Sequence, residues 1–229
     1  MSEGNDSWKK ARTTGQWAKI LGKHGRPLQK DWLAVVAAST RRGKLPEKIK
    51  HLIWTAVDSV VNHLYAPGAA LHAEEALAAG ATIPELMDTL RIACLPTISG
   101  LQDGYVLLAE ALDTSAAGAQ ADAGDWTLAA ERLSPEFLSA YRNFADSRMP
   151  EGLDARNACL VTLAVLSCPA VMDRQKLKVA IRQALDLGID NAEILEAMEI
   201  ASLIGTHAFA NSLDKLSEAL EEHAGRKSA

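Results

Sequence analysis

The stretch His63–Ala81, HLYAPGAALHAEEALAAGA, holds the residues of this chain best placed to do chemistry. His72 falls in the first turns of a helix that follows an Ala66-Pro67-Gly68 break. Proline lacks an amide proton and disfavours helix in the residue before it, so this tripeptide is expected to end one helix and release the next. The new helix is small on nearly every face (Ala69, Ala70, Ala73, Ala76, Ala78, Ala79), so other helices can approach it while little bulk surrounds the imidazole. A histidine held there near a helix N-terminus is a candidate pocket floor, and its side chain titrates near neutrality. The competing reading of His72 is a helix residue bonded to a neighbouring backbone carbonyl.

Other candidates stand nearby or far along the chain. His63 ends an apolar helix, where the dipole favours a cation and a capping role. His51 and His63 lie roughly 120° apart around one helix, so they are no ready metal pair. His207, in SLIGTHAFANS, follows Gly205 between two helices. It either lines the same cavity from the later part of the chain or is a satisfied core histidine. Tyr65 is a pocket wall or an ordinary packing residue. His24 and His223 read as surface residues. Cys94, Cys159 and Cys168 form no CxxC and no paired framework, which suits a reducing cytoplasm. No Ser-His-Asp order, phosphate loop or metal cluster stands out, so neither a metal nor a cofactor is expected.

The elements that must position these residues are helical. Ala and Leu dominate the 229 residues, and aromatic and β-branched residues are few. The net charge of −5 implies no nucleic-acid or anionic-membrane partner. No apolar h-region follows Met1 and no uninterrupted apolar run approaches ~20 residues, so neither a signal peptide nor a membrane span is expected. Residues 1–26 read as a polar, basic arm docked through Trp8 and Trp17. Ile49, Leu52, Ile53, Ala56, Val57, Val60 and Val61 make an amphipathic stripe leading to His63. The His72 helix ends at Gly80, and Thr82 caps the next, with Pro84 and Glu85 in its first turn. Residues 113–134 read as a linker, small and polar at their start, before Ser134-Pro135-Glu136 begins a new helix.

The chain also aligns with itself. Laying 27–112 on 135–220 needs no gap, and it matches Pro27 with Pro135, Leu52 with Leu160, Gly80 with Gly188 and Glu85 with Glu193. This predicts an all-α protein of two tandem helical units, with 221–229 as a tail. The units differ chemically: His51, His63 and His72 fall opposite Cys159, Val171 and Ala180, and His207 falls opposite Ser99.

Residues 48–93, KIKHLIWTAVDSVVNHLYAPGAALHAEEALAAGATIPELMDTLRIA, resemble the carboxymuconolactone decarboxylase family, which includes the alkyl hydroperoxidase D branch. Residues 155–201 repeat the pattern more faintly. The matching features are a helix opening with His72, the stop Gly80-Ala81-Thr82 and the acidic start Glu85. In the hydroperoxidase branch a Cys-x-x-Cys precedes the histidine. Those positions are Tyr65 and Gly68 here, and Asp173 and Lys176 in the second unit. Thiol peroxidase chemistry needs a low-pKa thiolate with a resolving partner, so it is disfavoured.

The resemblance then implies the decarboxylase side: a cofactor-free, decarboxylase-like lyase or isomerase acting on a small carboxylated, lactone-type metabolite. His72 would donate the proton, with the amides after Gly68 as an anion cradle and Arg91 or His207 as helpers. Tyr65, Gly68, His63 and Arg91 are the expected substrate-binding set. The resemblance also implies a cytoplasmic homo-oligomer, most simply a trimer of doubled chains. The alternative is a non-catalytic member that binds a small molecule or serves in assembly.

Overall fold

A computed structural model describes residues 16–40, 43–113 and 126–226. They form twelve α-helices and two short 3-10 segments, with no strand among them. Two helices, α1 (Gln16–His24) and α2 (Arg26–Thr40), precede a hairpin of α3 (Glu47–Ser59) and α4 (Ala66–Ala78). Next come α5 (Ile83–Cys94), a 3-10 turn at Leu95–Ile98 and α6 (Ser99–Asp113). The later part holds α7 (Trp126–Leu133), α8 (Pro135–Asp146), α9 (Ala155–Ser167), α10 (Arg174–Asp186) and α11 (Asn191–Ser202). A second 3-10 turn, Leu203–Gly205, leads into α12 (Thr206–Arg226).

Element bounds and backbone geometry recur between the halves in the register that sets Pro27 on Pro135. The starts of α3, α4 and α5, at 47, 66 and 83, are answered by α9, α10 and α11 at 155, 174 and 191. The positive-φ positions pair in the same way: Gly43 with Glu151, Leu64 with Met172, and Gly80 with Gly188. Gly80, at φ 91°, takes the left-handed conformation that closes α4 and that a side chain would strain. Capping boxes recur too, Thr82 with Glu85 and Asp190 with Glu193.

The halves share one core. Leu52, Ile53, Ala56 and Val57 of α3 pack in a single buried cluster with Leu160, Leu163, Ala164 and Val165 of α9. The two sets of helices also brace each other reciprocally. Asp88 on α5 accepts hydrogen bonds from the Met149 and Leu153 amides, at 3.1 Å each. Glu196 on α11, its counterpart in the second half, accepts from the Lys44 and Leu45 amides at 2.8 and 3.0 Å. Glu196 is wholly buried and faces Lys50, whose Nζ is 3.5 Å away.

The structure redraws several expected boundaries. The break after the first apolar helix lies at Val60–Tyr65, not at Ala66-Pro67-Gly68. Val60 turns extended, Leu64 adopts φ 42°, and the tripeptide becomes the first turn of α4. Proline is welcome there because its missing amide proton has no helical partner to lose. The linker shortens, because Trp126–Leu133 is helical and Ala130 packs with Tyr105 and Leu138. Of the N-terminal arm, Trp8 lies outside the described residues. Trp17 is buried and stacks on Phe209 of α12 at 6.3 Å. Ile83–Leu112 is long and apolar enough to cross a membrane by length and composition only, and Glu85, Asp88, Arg91, Asp103 and Glu110 interrupt it. Its polar members Asp88 and Arg91 are nevertheless spent on the other half, Arg91 Nη1 donating to Ala145 O at 2.6 Å.

Candidate active site

The break at residues 60–65 sets up the site. Tyr65 N donates to Asp58 O at 2.8 Å, folding the turn back over the last turn of α3. That brings His63 and Tyr65 beside Asp58, whose carboxylate is 2% exposed. Gly68 is buried in the first turn of α4, and a Cβ there would lie 2.2 Å from Asp58 Oδ2. Glycine is therefore needed for the close approach of α4 to α3.

His207 arrives from the other end of the chain. The Leu203–Gly205 turn ends α11 and starts α12, placing His207 in the first turn of α12, over the same spot. His63 Nε2 and His207 Nδ1 are 2.7 Å apart, a hydrogen bond whose direction depends on tautomer. Both nitrogens lie 3.7 Å from Asp58 Oδ1. The two imidazoles stack at 15°, and the Tyr65 ring centroid is 3.9 Å from that of His207. Burial pushes the His63 pKa down from its ordinary value, favouring the neutral ring. Two imidazoles in contact over a buried carboxylate can share and relay one proton.

Four expected site residues thus converge: His63, Tyr65, Gly68 and His207. Asp58 joins them, although sequence reasoning did not single it out. One signal could have found it: an acid alone within the apolar run HLIWTAVDSVV, opposite Leu166 in the other half.

Two expected members lie elsewhere. His72, one helical turn beyond Gly68, is 4% exposed. Its Nδ1 is 3.2 Å from His51 Nδ1, and its ring stacks on Trp54 at 4.8 Å. It is packed between side chains of α3 instead of facing an opening. Arg91 is a strut, its Nε 3.4 Å from Asp88 Oδ1. The expected anion cradle after Gly68 is taken up within the hairpin itself. The Ala69 amide already donates to Tyr65 O, and the Asp58 carboxylate occupies the space beside Gly68.

The corresponding place in the second half is a cavity of about 460 Å³. Asp173, Lys176 and Ala180, counterparts of Tyr65, Gly68 and His72, line it with Val165, Leu166 and Tyr141. Cys159 and Cys168 are buried, and burial pushes both thiols up, away from the thiolate that peroxidase chemistry requires.

Residues 26–97 match the carboxymuconolactone decarboxylase family. A solved structure from Burkholderia xenovorans LB400, of a protein described provisionally as a gamma-carboxymuconolactone decarboxylase subunit, shares the fold. The likeness has a TM-score of 0.81 and 23% identity, over 97% of this chain and 100% of that one. No curated protein matches the sequence.

Proposed function

From the match of residues 26–97 to the carboxymuconolactone decarboxylase family, we propose that the chain is a lyase or isomerase acting on a small, lactone-type carboxylate at the Asp58–His63–Tyr65–His207 cluster. The observation that carries this reading is the 2.7 Å contact between His63 and His207 above a buried carboxylate. A decarboxylation consumes one proton. The bond to the carboxylate carbon breaks, CO2 leaves, and its electron pair passes into the conjugated lactone. A proton then adds to a ring carbon of that conjugated system. His207 supplies that proton, His63 passes a replacement to it, and Asp58 stabilises the imidazolium in between. Tyr65, against the His207 ring, is the substrate-facing wall. The proton donor is thus His207 in place of His72, whose buried pairing with His51 keeps it from substrate.

The recurrence of α3, α4 and α5 as α9, α10 and α11 supports descent from a doubled unit in which one copy kept the polar site. A trimer of such chains in the cytoplasm is part of the same proposal, and sedimentation equilibrium giving a monomer would reject that part. Incubation with γ-carboxymuconolactone in D2O tests the chemistry. CO2 release with one deuterium taken into the ring carbons of the product supports the reading, and no release from this or related lactone acids rejects it.

A second reading, binding without turnover, is favoured by the second-half cavity, which is large, mostly apolar and without histidine. A bound metabolite in native mass spectra of a protein inactive on every lactone acid would establish it.

A further inference from the structure

The three groups Asp58, His63 and His207 each offer one ligand atom, all within 4.8 Å of one another. We infer that they form a binding site for a four-coordinate divalent transition-metal ion, one per chain, and that its occupancy switches the proton relay off. Geometry comes first. A tetrahedral centre with bonds of about 2.0–2.1 Å has ligand-to-ligand edges of roughly 3.3–3.4 Å. The edges here are 2.7, 3.7 and 3.7 Å, straddling that value. Seating an ion asks the edge between the imidazoles to lengthen by roughly 0.6–0.7 Å and the two carboxylate edges to shorten by roughly 0.3–0.4 Å.

Access and charge agree. The two imidazoles are 17% and 16% exposed and the carboxylate 2%, so an ion reaches the nitrogens from solvent and meets the anion behind them. A dication there offsets the cost of a buried carboxylate. Two imidazoles and one carboxylate suit Zn2+, Co2+ or Cu2+ in preference to Mg2+ or Ca2+, which ask for oxygen ligands. The positions related by the register, Leu166 and Val171 in the second half and Ser99 in the first, supply no comparable set, so this site has no twin across the halves.

Binding itself is independent of the proposed reaction, whereas the inhibitory consequence rests on it. An ion on His63 Nε2 and His207 Nδ1 takes the lone pairs through which the proton passes.

Cobalt titration of EDTA-treated, dialysed full-length chain tests the site. The expected result is the intense visible ligand-field absorption of four-coordinate Co2+, saturating at one equivalent and abolished by Zn2+. His207→Ala and, separately, His63→Gln should weaken it by more than the roughly 10–100-fold that losing an outer-shell partner costs. Circular dichroism checks that both variants are folded, and His223→Ala, on an exposed histidine, should leave the titration unchanged. Absence of the band at one equivalent, or its survival in both folded site variants, overturns the inference. Turnover of the EDTA-treated protein, measured separately, reports on the lyase reading whichever way the titration falls.

Discussion

Asp58 and Gly68 stand so close that the α3–α4 hairpin tolerates no side chain at position 68. A Cβ there would meet Asp58 Oδ2 at 2.2 Å and Tyr65 Cδ1 at 2.5 Å. Gly68→Ala is therefore expected to lower stability by about 1–3 kcal/mol through overpacking, read from urea unfolding. Unchanged stability would mean that α4 does not approach α3 as described.

The reciprocal braces should be unequal. Glu196→Ala removes the buried acceptor of two amides and leaves Lys50, which is 5% exposed, to its more exposed partner Glu47 at 2.9 Å, so a loss of about 2–5 kcal/mol is expected. Asp88→Asn keeps an acceptor oxygen for Met149 or Leu153, and about 1–3 kcal/mol is expected. Chemical denaturation measures both, and a larger loss for Asp88→Asn would reverse the assignment.

Glu193 gives a pH signature. A hydrogen bond from Arg156 holds its carboxyl below the ordinary glutamate value, despite the opposing effect of burial. A lowered folded-state pKa adds stability that is complete above the unfolded value of about 4.3 and is lost as pH falls through the lower folded value. Arg156 is 42% exposed, so solvent screening holds the pair to roughly 0.5–1 kcal/mol. Glu193→Gln should be less stable than the parent by that amount at pH 7, with the gap closing near pH 3. A gap that is the same at both pH values would contradict this.

His72→Ala should act on stability. The ring fills space against Trp54 and bonds His51, so its loss leaves a cavity and a buried imidazole without that contact. A destabilisation of about 2–4 kcal/mol is expected in thermal or urea unfolding. A variant as stable as the parent would put His72 back among the solvent-facing candidates.

The helical architecture was legible because its signals are local. The stripe from Ile49 to Val60, the Thr82–Glu85 cap and the glycines at 80 and 188 act over one or two turns. Their recurrence in the second half was readable for the same reason. The site was half legible. Tyr65, Gly68 and His63 lie in the stretch singled out from the sequence, but their arrangement depends on Val60 turning extended and on Leu64 at positive φ, which the Pro67 signal misplaced by several residues. The contact of His63 with His207 joins opposite ends of the chain and arises only from tertiary packing. Asp58 was hidden because an acid on a helix usually marks the solvated face, whereas here the face is the core. His72 was over-read for a related reason: alanines around it promise space, and Trp54 from the facing helix takes that space.

The most direct test of the account compares His207→Ala with His72→Ala on γ-carboxymuconolactone, following CO2 release per mole of folded protein. Loss of a general acid typically costs about 10²–10⁴-fold, and the account predicts a fall of that size in kcat for His207→Ala. It predicts near-parental kcat for whatever fraction of His72→Ala folds. The reverse pattern, with His207→Ala active and folded His72→Ala dead, would contradict it.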